Sequence, residues 1–117
     1  MFINIVRWRV KKGDSVKQHE VWREMMKYQR HHLDKLTYIR SRFFTFTEEE
    51  SSEETWMFLD DYHNGEDFHR GVEAWKKDPE LKRFMDGWFP KWRDLIVPGS
   101  RIGEFWDEVE DLRVELK

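Results

Sequence analysis

The stretch "YIRSRFFTFTEEESSEETWMFLDDY", residues 38–62, decides the fold. Its two ends, 38–47 and 55–62, are rich in aromatic and β-branched residues and read as strands, and the acidic "EEESSEE" between them reads as a solvated hairpin loop. Seven polar residues are too few for a parallel crossover, so the two strands must pair antiparallel. The flanking segments then have to supply whatever covers this hairpin.

Upstream, residues 2–10 place Phe2, Asn4, Val6, Trp8 and Val10 against Ile3, Ile5, Arg7 and Arg9, a pattern expected of a central strand with two covered faces. "KKGDS" stops it. Asp14 or Ser15 can cap a helix whose apolar positions Val16, Trp22, Met25, Met26, Leu33 and Leu36 recur at three- and four-residue spacing, which predicts a helix to about residue 35. Downstream, Asn64 opens a second helical pattern with Phe68, Val72 and Trp75 on one face. Pro79 pauses it and suits the first residue of a new segment carrying Leu81, Phe84, Met85, Trp88, Phe89 and Trp92. After "VPGS", residues 101–110 read as a fourth strand, and "LRVELK" alternates like a short fifth strand or an extension that reaches a partner subunit over 109–117.

The order β-α-β-β-α-β is the ferredoxin-like arrangement of the α+β class: a four-stranded antiparallel sheet with two helices on one face, in one domain over residues 1–117. Phe44, Phe46, Trp56, Phe58, Phe105 and Trp106 supply more aromatic surface than two helices on one side can hide, which predicts a homodimer packed sheet against sheet. Composition bounds the partners. The 24 acidic and 21 basic residues are dispersed, with no basic block to neutralise a phosphate backbone, so nucleic acid is not expected. No run approaches the roughly 20 apolar residues of a membrane span, and no leader is evident, so a soluble cytoplasmic protein is expected. With no cysteine, a thiolate metal site and a Cys nucleophile are excluded.

One decapeptide raises a metal question. "DDYHNGEDFH", residues 60–69, holds four carboxylates and two histidines, but Asp60 and Asp61 point to opposite faces of a strand and His63 falls in the turn. Helix capping by Asn64, with Glu66 and Asp67 in the first turn, explains more of these positions, so no metal is expected. His31 and His32 read as a helix C-terminus. The strand arginines Arg7, Arg9, Arg40 and Arg42 must be paired, wet or exposed, with Glu104 and Asp60 as candidate partners; the alternative is a cationic pocket for an acidic small molecule.

The strand ending "VKKGD", the strand ending "WMFLDDY" and "GEDFHRGVEAWKKDPELKRFMDGW" resemble the antibiotic biosynthesis monooxygenase-like members of the dimeric α/β-barrel superfamily. The Phe68, Ala74-Trp75, Asp78-Pro79, Phe84 spacing carries the likeness, which covers most of residues 1–107. The resemblance implies a ligand pocket between the second helix and the sheet. It also implies one of several roles: cofactor-free oxygenation of phenolic or quinol substrates, haem degradation, or no assigned reaction. The haem-degrading branch uses an Asn on the first strand with a Trp and a His on the second helix; here those positions fall on Val6, Trp75 and Met85, and only the Trp matches.

The expected pocket is lined by Trp75, Tyr62, His69, Trp22, Met85 and Trp88, with His19 as general base and Asn4 as a second polar point. The first expectation is a cofactor-independent monooxygenase on a small phenolic or quinone-type molecule. The alternative is a non-catalytic dimer that binds a small aromatic ligand or serves a structural role, and haem binding ranks third.

Overall fold

The computed structural model describes residues 1–116 and contains one four-stranded antiparallel sheet in the order β2-β3-β1-β4. The strands are β1 (Phe2–Lys11), β2 (Arg40–Thr47), β3 (Glu53–Tyr62) and β4 (Ile102–Asp107). Three helices accompany them: α1 (Ser15–Arg30), α2 (Gly65–Lys77) and α3 (Pro79–Arg93). The β2–β3 hairpin pairs antiparallel from Arg40 opposite Asp61 to Thr47 opposite Glu54, and β1 inserts between β3 and β4. This is the ferredoxin-like fold.

Strand parity assigns the faces. Val6, Trp8 and Val10 are buried toward the helices together with Trp56 of β3, while Arg7 and Arg9 between them are exposed. Trp8, Trp22, Trp88 and Trp92 form the centre of the core, with ring centroids 4.8–5.6 Å apart in tilted and edge-to-face contacts. The Trp88 indole donates to the Val21 carbonyl at 2.7 Å, which ties α3 to α1.

Capping residues set the helix boundaries. Asn64 Oδ1 accepts from the Asp67 amide at 2.8 Å and starts α2. Asp78 ends α2 and begins α3, accepting from the Glu80 and Leu81 amides, with Pro79 in the first turn where its missing N–H costs nothing. The second helical region is therefore two helices with a break at Asp78, and Pro90 is accommodated inside the last turn of α3. Val97-Pro98-Gly99-Ser100 closes a turn by a Ser100 amide to Val97 carbonyl bond of 3.1 Å, and its third residue must be able to adopt φ +78°, which Gly99 does.

Three expectations need correction. Helix α1 stops at Arg30 rather than near residue 35, because the His31 and His32 imidazoles lie 2.9 and 2.7 Å from the Lys27 and Tyr28 carbonyls and take over the last turn; a short 3-10 turn follows at Leu33–Lys35. Val16 and Leu33, assigned to the apolar stripe, are 71% and 65% exposed. The stripe that faces the sheet is Gln18, Trp22 and Met25. Residues 112–116 form no fifth strand: a 3-10 turn at Glu110–Leu112 is held by the Met1 ammonium on Glu110, and Arg113 clasps Glu108. Lys117, the last residue of that expectation, lies outside the described residues. No described helix is long and apolar enough to cross a membrane.

Candidate functional site

A gap opens between the helices and the sheet, beneath α1 and the two helices that meet at Asp78. It has two chambers of about 300 and 200 Å³ that share Gln29, Asp60 and Trp75 as walls. The first lies under α2 and is bounded by Asn4, Tyr38 and Tyr62; the second lies under α3 and is bounded by Trp22, Met85 and Trp88. An apolar void of about 150 Å³ is enough to take up benzene, so either chamber has room for one aromatic ring. Gly71, buried on α2, is required for the first chamber's geometry: a Cβ there would collide with the Thr37 hydroxyl, which itself holds the Asp67 carbonyl at 2.7 Å.

The chemistry of the gap is set by Asp60. Parity places it on the helix-facing side of β3, directly opposite Asn4 of β1 and Ser41 of β2. Its Oδ1 is buried and has no hydrogen-bond partner. Burial pushes the Asp60 carboxyl up to about 6; a hydrogen bond from Ser41 pulls the other way, and the neighbouring Asp61 charge adds a smaller upward push. Two phenols share the same walls. Burial, and then the charge of Asp60, raise Tyr38 to about 12 and hold Tyr62 above the ordinary phenol value, so both keep their protons at neutral pH. The Tyr38 hydroxyl donates to Gln29 Oε1 at 2.5 Å.

The second chamber adds N–H donors. The indole nitrogens of Trp22 and Trp92 are buried without partners, and Arg101 lies at the rim with its guanidinium 5.1 Å from the Trp92 ring. The gap is therefore walled mainly by apolar side chains, many of them aromatic, with one carboxylate shared by the two chambers and two unpartnered indole nitrogens on residues of the second.

Six of the eight residues expected to form the pocket are brought together here: Asn4, Tyr62 and Trp75 in the first chamber and Trp22, Met85 and Trp88 in the second, with Trp75 in both. His19 and His69 are not. His19 is exposed, edge-on to Trp56 at 5.8 Å, because the phase of α1 turns Gln18 rather than His19 toward the sheet. His69 is exposed on α2 beside Phe68. Sequence reasoning missed Asp60, Tyr38 and Gln29. The signal for Asp60 was present: it shares strand parity with Trp56, Phe58 and Tyr62, so it is a carboxylate on an aromatic strand face.

The rest of "DDYHNGEDFH" disperses. Asp61 turns to the open face of the sheet and accepts from Arg40 at 2.8 Å, with Arg42 at 3.4 Å. Asp67 pairs with Arg70, and His63 is exposed. The open face carries the ion pairs Arg7–Glu104 at 3.1 Å and Arg9–Glu53 at 2.9 Å, so the strand arginines are paired there and Asp61, not Asp60, answers Arg40 and Arg42.

The sequence matches no family model and no curated protein. Solved structures match its fold along nearly the whole chain. A NIPSNAP-like domain protein from Burkholderia xenovorans is 13% identical with a TM-score of 0.62, over 99% of this chain and 90% of its own. An antibiotic biosynthesis monooxygenase is 11% identical with a TM-score of 0.58, over 93% and 99%. SnoaB, a cofactor-independent oxygenase from Streptomyces nogalater, is 10% identical with a TM-score of 0.53, over 92% of each chain. The chain carries the ferredoxin-like fold of these antibiotic biosynthesis monooxygenase and NIPSNAP structures. At such identities what is shared is the architecture.

Proposed function

We propose that the gap is a catalytic pocket in which a small phenol or hydroquinone is deprotonated by Asp60 and oxidised by dioxygen, the substrate itself supplying the electrons. The observation that supports this reading is a carboxylate raised to about 6, with one buried oxygen that has no partner, on the wall shared by two ring-sized chambers. A base whose pKa lies near the working pH combines a large ionised fraction with useful basicity. Tyr62, protonated at neutral pH, is a donor suited to the phenolate oxygen that forms, whereas Tyr38 directs its proton to Gln29, and Trp22 and Trp92 offer further N–H groups. The aromatic walls keep the ring in register and limit water around the developing anion.

A second copy of the chain fits this reading. Phe44, Phe46, Ile102 and Trp106 are 43–63% exposed on or beside the open face, so we propose that the protein works as a sheet-to-sheet homodimer with one such pocket per subunit. The test is dioxygen uptake with simple hydroquinones and naphthols, for the wild type and for Asp60→Asn. The expected result is uptake above the uncatalysed rate that falls about 100-fold or more in Asp60→Asn. Uptake that is absent from the wild type, or unchanged by the substitution, would remove the catalytic reading and leave a binding pocket.

A further inference from the structure

On the other side of α1 a separate groove of about 550 Å³ runs between the helix and the edge strand β2. Its floor is the ring of Trp56 and, beside it, Phe43; its wall is one stripe of α1, His19, Arg23, Lys27 and Arg30. Trp22, Met26 and Phe43 line both this groove and the second chamber, standing between the two spaces.

Arg23, Lys27 and Arg30 have no carboxylate partner among the described residues, which is true of several other surface cations, Lys17 and Arg83 among them; what sets these three apart is that they line one groove together. They follow one another at spacings of four and three, where like charges repel and weaken a helix. The favourable field at a helix C-terminus compensates Lys27 and Arg30 in the last turn, but not Arg23 in the middle of α1. The acidic residues of α1 lie elsewhere, with Glu24 engaged by Lys91 of α3 at 3.2 Å. The acid nearest the floor, Glu54, accepts the Trp56 indole N–H at 2.7 Å and does not line the groove. An aromatic floor bordered by three free cations has the two halves of an amphiphilic anion site: a surface for an apolar body, and guanidinium groups that bind carboxylate, sulfonate or phosphate oxygens in pairs.

We propose that this groove binds a small amphiphilic anion, with its apolar body laid on Trp56 and Phe43 and its acidic head held by Arg23, Lys27 and Arg30. The assignment is independent of the role of Asp60. It is tested by fluorescence titration of the intact chain with 8-anilinonaphthalene-1-sulfonate and with its uncharged counterpart N-phenyl-1-naphthylamine. Both are repeated on the triple variant Arg23→Gln, Lys27→Gln, Arg30→Gln, whose changes are confined to exposed side chains. The expected result is sulfonate binding weakened at least about tenfold in the triple variant and by added salt, with the uncharged probe changed less than about twofold. Asp60→Asn should leave sulfonate binding intact, which separates this groove from the gap. Equal sulfonate affinity in wild type and triple variant would overturn the proposal. So would co-sedimentation with phosphatidylglycerol vesicles that the triple variant loses while sulfonate binding stays unchanged, because the cations would then serve a membrane surface.

Discussion

Asp60 and Asp61 are neighbours in the chain and alike in the sequence, yet the sheet sends them into opposite environments. Asp61 enters the open face, is 1% exposed, and is capped by two arginines whose own side chains are about half exposed. Asp60 enters the helix-facing gap and meets Asn4, Ser41 and aromatic rings, with no ion pair among the described residues; Oδ1 of each aspartate is buried without a partner, so the difference lies in the cations that only Asp61 has. A strand alternates its side chains with a period of two, so one step along β3 separates a structural carboxylate from a chemically poised one. The comparison teaches that what the pocket can do is fixed by which face a residue occupies more than by which residue it is.

Substitutions at the two positions should therefore have opposite signs, and the largest effect expected is on reaction rate. Asp60→Asn should cost about 100-fold or more in any oxygenase activity, and the inflection of the rate profile near pH 6 should vanish with it. A rate that keeps its pH dependence in the variant would assign the base elsewhere.

Next comes the core that both faces depend on. Trp88→Ala removes a fully buried ring and its bond to Val21, and should lower stability by about 3–5 kcal/mol in urea denaturation. Trp106→Ala, on the open face, should change the monomer by less than about 0.5 kcal/mol while weakening the proposed dimer in sedimentation velocity. A large loss of monomer stability at Trp106 would mean that the open face is part of the core.

The stability effects of the aspartates are smaller and sharper. The folded-state value of Asp60 is raised above the unfolded one, so its contribution is fully present below the ordinary value of 3.8 and is lost as pH rises through about 6. The wild type should lose stability across that window, and Asp60→Asn should be more stable by roughly 2 kcal/mol at pH 7.5. Asp61→Asn removes the anion from Arg40 and Arg42 and should cost roughly 1–2 kcal/mol at the same pH, less than a fully buried pair because the arginines reach solvent. Two substitutions of the same sign would break the comparison. A small effect is expected at the α2 cap, where Asn64→Ala should cost about 1 kcal/mol with no change in activity.

Much of this architecture was legible in the sequence, and the reasons are local. The hairpin of residues 38–62, the Asn64 cap and the Asp78-Pro79 helix start depend on residue types that act within a few positions of themselves. Parity within the strands was legible too, once Val6, Trp8 and Val10 were seen to share a face, but which face meets the helices is a tertiary fact. That gap hid Asp60, whose aromatic strand-mates face the helices, and it exchanged the two aspartates as partners of Arg40 and Arg42. In α1, spacings of three and four residues admit a stripe through Val16 and His19 as readily as one through Gln18, Trp22 and Met25; packing against the sheet selects the second, and His19 moves to the neighbouring groove. The tail failed for another reason. "LRVELK" alternates like a strand, but alternation needs a partner strand, and residues 112–116 have none among the described residues.

The most direct test of the account is a ¹³C NMR titration of the Asp60 carboxyl, assigned by comparison with Asp60→Asn. The account predicts a single transition near pH 6, shifted by ligands that enter the gap. A transition near 4 would contradict it, since Asp60 would then be solvated or paired like any surface carboxylate and the gap would lack its base.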